Sequence, residues 1–272
     1  MLRSSKSILN FHSPDYIRSL ADIRRIDFLF RRLQLLRALR FTLLHLKVEE
    51  LEKTFKILSH SLVKIHYLMS FSFELMSDSK LSSKLLRKLS LILQTMKSLT
   101  LLRISYFCEK DASENIIPSI LTGNLGKLKS LLTLSLKLVK APMGDKEMEF
   151  LCSSLVSCKS LANLDIELFD CPDLTNEVIK RFFIIWRDLK LRSLKLKLKV
   201  LKDGNEMMTY RDFDSLMEAE ERGPSNFSVM SQYDRRGQKT TLRLVCEHST
   251  TKKPQVFEVL IFQKRRSERE VF

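Results

Sequence analysis

Residues 158–168 read CKSLANLDIEL, with Leu161, Leu164, Ile166 and Leu168 spaced by three, two and two. Nearly the same words occur twice more: MKSLTLLRISYF begins at Met96 and LKSLLTLSLKL at Leu128. Aligned as L-x-x-L-x-L-x-L, with other large apolar residues allowed, the phrase starts at Leu36, Leu68, Leu99, Leu131, Leu161 and Leu191. The intervals are 32, 31, 32, 30 and 30 residues. A fixed period of this size marks a chain built from stacked copies of one supersecondary unit. One such unit cannot bury its own apolar face, and a neighbour on each side covers it.

Each repeat has two halves. The phrase alternates with period two, which predicts a short strand with one buried face. The segments between phrases have helical spacing. In VEELEKTFKIL, Val48, Leu51, Phe55 and Leu58 share one face. Leu85, Leu86, Leu89 and Leu93 do so in KLSSKLLRKLSLIL, as do Met148, Leu151 and Leu155 in GDKEMEFLCSSLV, where Asp145 is the expected N-cap. Val178, Phe182 and Ile185 continue the pattern in LTNEVIKRFFIIW. Pro118 is expected to shorten the helix of the third repeat.

A strand and a helix every 30–32 residues resembles the leucine-rich-repeat family, in its ribonuclease-inhibitor-like variety. The resemblance covers roughly residues 33–220. It implies an α/β solenoid, a horseshoe with a parallel concave sheet and convex helices. The family places Asn or Cys just after the strand; here Leu44, Met76, Phe107, Val139, Phe169 and Lys199 stand there.

The expected organisation has three parts. Residues 1–35 form a basic segment and N-terminal capping helix, with Ile23, Ile26, Phe30 and Leu33 at helical spacing. Residues 36–221 form the solenoid, ending in a polar helix over 205–221. Residues 222–272 form a β-rich cap with a basic tail, whose strands lie in NFSVMSQY, TTLRLVCEH and QVFEVLIFQ. The alternative for this last part is a small independent domain.

With 44% apolar and 29% charged residues the 272-residue chain is globular. Its longest apolar candidate, RFFIIW at 181–186, is far shorter than the ~20 residues of a membrane span. The five cysteines are odd in number and lack a CxxC, so free thiols in a reducing compartment are expected. Cys152 and Cys158 are expected on one helix, packed in the core. The net charge of +15 concentrates at the ends. Residues 1–40 carry nine Lys/Arg against three Asp, and 235–272 carry ten against four Glu. The cytoplasm is the expected compartment. The acid-free start MLRSSKSILNF leaves a mitochondrial alternative open.

In such a horseshoe the side chains between the leucines point out from the concave sheet. One row runs Arg40, Ser72, Arg103, Ser135, Asp165, Lys195, and the next Thr42, Glu74, Ser105, Lys137, Glu167, Lys197. The charges of Lys137, Glu167 and Lys197 alternate and can pair between strands ~5 Å apart. The candidate partner-binding residues are therefore Arg40, Glu74, Arg103, Lys137, Asp165, Glu167, Lys195 and Lys197. A second candidate, for an anionic partner, joins Arg235, Arg236, Lys252, Lys253, Lys264, Arg265 and Arg266. Nucleic acid is not favoured, because aromatic residues for base stacking are sparse.

No P-loop, GxGxxG, GxSxG or HExxH occurs, and the five histidines suggest no third ligand beside His60 and His66. The expectation is a non-catalytic adaptor without cofactor or metal that binds a partner protein. The alternative is a structural subunit of a larger ribonucleoprotein or mitochondrial assembly, held by its basic ends.

Overall fold

Period-two alternation becomes strand in all six phrases. The computed structural model describes residues 10–12, 35–77 (save 45 and 47), 91–108, 125–169 (save 142 and 143), 191–200, 227–233, 239–247 and 254–263, with single positions within 21–28 and 171–189. After β1 (Asn10–His12), the phrases fall in β2 (Ala38–Leu44), β3 (Ser70–Ser77), β4 (Leu101–Cys108), β5 (Thr133–Val139), β6 (Asn163–Phe169) and β7 (Ser193–Val200). The first leucine of each phrase lies just before its strand. Leu36, Leu68, Leu99, Leu131, Leu161 and Leu191 are all buried there.

β2 to β7 lie side by side in chain order, every pair parallel. The register keeps equivalent positions opposite one another: Leu39, Phe71, Leu102, Leu134, Leu164 and Leu194 are successive partners. Parallel neighbours need a crossover between them, and helices supply it where the structure describes it. α1 (Val48–Leu62) and α2 (Asp145–Val156) are joined by helical residues 91–95 and by helical positions 181, 182 and 185. The class is thus α/β, with six parallel strands in one sheet.

The sheet continues at both edges. β1 pairs parallel with β2. At the other edge come β8 (Phe227–Tyr233), β9 (Lys239–Glu247) and β10 (Pro254–Gln263). β10 pairs parallel with β7 along its length, and β9 and β8 follow outward in antiparallel order. The three strand segments expected after residue 222 are therefore all strands, and they extend the main sheet.

One apolar cluster runs the length of the leucine face. Leu51, Phe55 and Leu58 of α1 are each at most 1% exposed and belong to the same cluster as Leu39, Phe71 and Leu134. Phe41 meets Phe71 and Phe73, and Phe55 meets Phe73, edge-on or tilted, with Phe55 and Phe73 ring centroids 5.5 Å apart, while Phe71 and Phe73 lie parallel at 6.5 Å. Full burial of each such ring contributes about 1.5–3 kcal/mol.

The turns into the strands are also copies of one another. Arg37, Met69, Thr100, Leu132 and Ala162 each offer a carbonyl that accepts two N–H groups from the next repeat, at 2.8–3.2 Å. For example, Met69 O accepts from Thr100 N and Leu101 N at 2.8 and 2.9 Å. These five carbonyls are all met, and each ties one turn to the next before the strand ladder begins.

Two local expectations are corrected. The N-cap of α2 is Gly144, not Asp145, which is the first helical residue. The Gly144 N–H donates to Glu147 Oε2 at 2.9 Å, so the glutamate in the first turn closes the helix start. Cys158 lies two residues beyond the end of α2 rather than on it, although both it and Cys152 are buried. Within residues 1–35 the expected capping helix is described at positions 21, 24 and 28, which are helical, and position 35 is a turn. Most of the expected helix over 80–93, the stretch around Pro118 and the helix over 205–221 lie outside the described residues.

Candidate functional site

Alternation puts residues 40, 42 and 44 of β2, and their equivalents, on the face opposite the leucines. The register aligns them into rows. Arg40, Ser72, Arg103, Ser135, Asp165 and Lys195 are successive partners, and so are Thr42, Glu74, Ser105, Lys137, Glu167 and Lys197. The eight candidate partner-binding residues therefore share one face, with adjacent rows two residues apart along each strand.

At the β5–β7 end the charges pair. Glu167 lies 3.6 Å from Lys137 Nζ and 2.5 Å from Lys197 Nζ. Lys137 also stands over the rings of Phe107 and Phe169, at 5.3 and 5.8 Å from their centroids. One ammonium is thus held by a carboxylate and two aromatic faces, an arrangement that fixes a side chain usually free to move. Burial pushes the Asp165 carboxyl above its ordinary pKa, with Lys197 opposing and Glu167 reinforcing the shift. Its Oδ1 is buried without a hydrogen-bond partner.

At the β2–β4 end the pattern differs. Thr42 Oγ1 donates to Glu74 Oε2 at 3.3 Å. Arg40 and Arg103 are exposed, two strands apart with Ser72 between them. Neither has an ion-pair partner among the described residues.

A third row completes the face and was not singled out as a site from the sequence. Leu44, Met76, Phe107, Val139 and Phe169 follow one another in register at the far ends of the strands. Met76, Phe107, Val139 and Phe169 are half-buried. These are the positions where Asn or Cys was expected from the family resemblance. Period two alone carried the signal, because it puts them on the same face as Arg40 and Lys137.

The second candidate patch, Arg235, Arg236, Lys252, Lys253, Lys264, Arg265 and Arg266, lies outside the described residues. His60 and His66 are exposed, one in α1 and one in the turn after it. Among the described residues no group of three or more His, Cys, Asp or Glu is placed to hold a metal ion. No described helix is long and apolar enough to cross a membrane. No protein-family model matches the chain, and neither does any curated protein.

Proposed function

We propose that this chain is a leucine-rich-repeat solenoid of the ribonuclease-inhibitor-like variety and a non-catalytic scaffold that binds a partner protein through its concave face. One observation carries the reading. Six consecutive parallel strands place their charged residues in register on a single face, with spacing set by the strands rather than by flexible loops. Side chains presented this way lose little conformational freedom on association. Lys137, held by Glu167, Phe107 and Phe169, is the clearest case. Arg40 and Arg103 offer exposed guanidinium groups to carboxylates of a partner. On this reading, β8 to β10 seal one end of the stack, residues 1–35 cover the other, and the free buried thiols fit the cytoplasm.

The test is affinity capture with three baits: the intact chain, Arg40→Glu/Arg103→Glu/Lys195→Glu on the face, and Lys53→Glu/Lys56→Glu on the exposed side of α1. The expected result is a discrete protein retained by the first and third and lost from the second. A partner held equally by all three baits refutes the face. Constitutive sedimentation with a large particle, unaffected by the face substitutions, favours a structural subunit instead.

A further inference from the structure

Because β2 to β7 are parallel, the turns that lead into them all emerge along one edge of the sheet. These turns comprise residues 35–37, 63–69, 95–100, 125–132, 157–162 and 191–192. Among the described residues these turns contain no Asp or Glu, and Asp188, ahead of the last of them, lies outside the described residues. Lys97, Lys129 and Lys159 occupy the same position in three successive turns, each followed by Ser-Leu. Arg37, Lys64, Lys127 and Arg192 add four more cations, and all seven are exposed. The acids gather elsewhere: Glu49 and Glu50 open α1, and Asp145 and Glu147 open α2, at the opposite ends of the helices. The near-neutral middle of the sequence is thus electrically divided in three dimensions.

Cations beside helix C-termini complement the helix dipole, and that accounts in kind for Lys64 and Lys159. It does not account for the apolar residues among them. Tyr67, Met69 and Leu132 are 60%, 43% and 47% exposed on this edge. Leu35, Val63 and Val156 are exposed there or at the adjoining helix end. A nucleic acid uses the cations but gains little from aliphatic side chains, and Tyr67 is the lone aromatic residue of these turns. A bilayer surface with acidic headgroups uses both: cations meet the headgroups, and short apolar side chains enter the boundary beneath them.

We propose that this basic edge of strand-entry turns docks on a membrane surface containing anionic phospholipid. The turns from β2 to β7 span five strand spacings, about 24 Å, enough to engage several headgroups at once. Each lysine near such a surface raises affinity roughly five-fold.

The experiment is co-sedimentation of the full chain with two kinds of vesicle, phosphatidylcholine alone and phosphatidylcholine mixed with phosphatidylserine. The expected result is retention on the mixed vesicles only, weakened by added salt. Lys97→Glu/Lys129→Glu/Lys159→Glu lowers that affinity by at least about a hundred-fold. The corresponding Lys→Gln triple lowers it less, and Tyr67→Ser/Leu132→Ser lowers it without changing the salt dependence. Thermal unfolding of each variant confirms folding, and the Gln triple keeps the test decisive where the reversed one unfolds. Retention that survives both lysine triples but is lost on deleting residues 264–272 overturns the proposal. So does equal binding to both vesicles, or retention on RNA but not on vesicles.

Discussion

Glu167 Oε2 lies 3.6 Å from Lys137 Nζ, one strand away, and the other carboxylate oxygen meets Lys197 from the opposite side. One acid thus bridges three strands. The three side chains are 19%, 39% and 32% exposed, so water screens both pairs. Exposed pairs of this kind contribute about 0.2–1 kcal/mol each. Glu167→Gln is therefore expected to cost about 1 kcal/mol in urea unfolding at low ionic strength, and less as salt is added. A loss above about 3 kcal/mol, insensitive to salt, would mark the bridge as a buried one.

Asp165 predicts a dependence of stability on pH. Its carboxyl is pushed above the ordinary range mainly by burial. The folded state therefore holds this proton more tightly than the unfolded state. Stability contributed by the protonated form is present below the ordinary carboxylate pKa and is lost as pH rises through the raised one. Asp165→Asn, which keeps the shape without the charge, should raise the melting temperature near neutral pH. The advantage should shrink on acidification. A melting temperature that falls at neutral pH would mean the carboxylate is better compensated than its unpartnered Oδ1 indicates.

What the sequence disclosed divides along physical lines. The leucine comb was legible because burial of one face in every repeat admits a single periodicity, and Leu39 through Leu194 align as that periodicity requires. The rows of Arg40 and Thr42 followed from the same alternation. The start of α2 was misread because Asp145 is a good capping residue beside Gly144, and the choice between them rests on where the Glu147 carboxylate reaches. The basic edge was hidden for a different reason. Its lysines are 30 or 32 residues apart, among acids that fold to other surfaces, so a running charge sum cancels what the parallel topology separates.

The buried thiols give a third prediction. Desolvation raises Cys152 to about 12 and Cys158 to about 11, against an ordinary 9.0. The thiolate is the reactive form. In a Cys108→Ser/Cys246→Ser background, the remaining thiols should resist a disulfide reagent at mildly alkaline pH until the chain is unfolded. The same shifts imply stability that is present below pH 9 and lost as pH climbs towards the raised values. Rapid stoichiometric labelling of the native protein would contradict the burial of Cys152, Cys158 and Cys171.

Lys140 follows β5 with φ of 53°, the left-handed region that side chains bearing a Cβ disfavour. Its N–H donates to Phe169 O at 2.8 Å, so the position holds a cross-strand bond and cannot simply relax. Lys140→Gly removes the steric penalty and keeps the donor. It should stabilise the protein by about 0.5–1 kcal/mol, whereas Lys140→Val should destabilise it. Equal effects of both in thermal unfolding would remove backbone strain as the cause.

Gly126 shows how closely successive turns approach. It sits in the 3-10 turn Leu125–Lys127, against the residue that ends α2. A methyl group built on Gly126 would lie 2.3 Å from Ser157 Oγ and 2.9 Å from its Cβ. The hydroxyl can swing away, but it would forfeit its 2.6 Å bond to Ser154 O, and the Cβ contact would persist. Gly126→Ala should therefore cost about 1–3 kcal/mol, the usual range for forced overpacking. Adding Ser157→Gly removes both offending atoms and should restore most of that loss, since Ser157 has ordinary helical backbone angles that glycine also adopts. A double-mutant cycle reads the coupling directly. Strict additivity of the two substitutions would show that Ser157 is not what crowds Gly126.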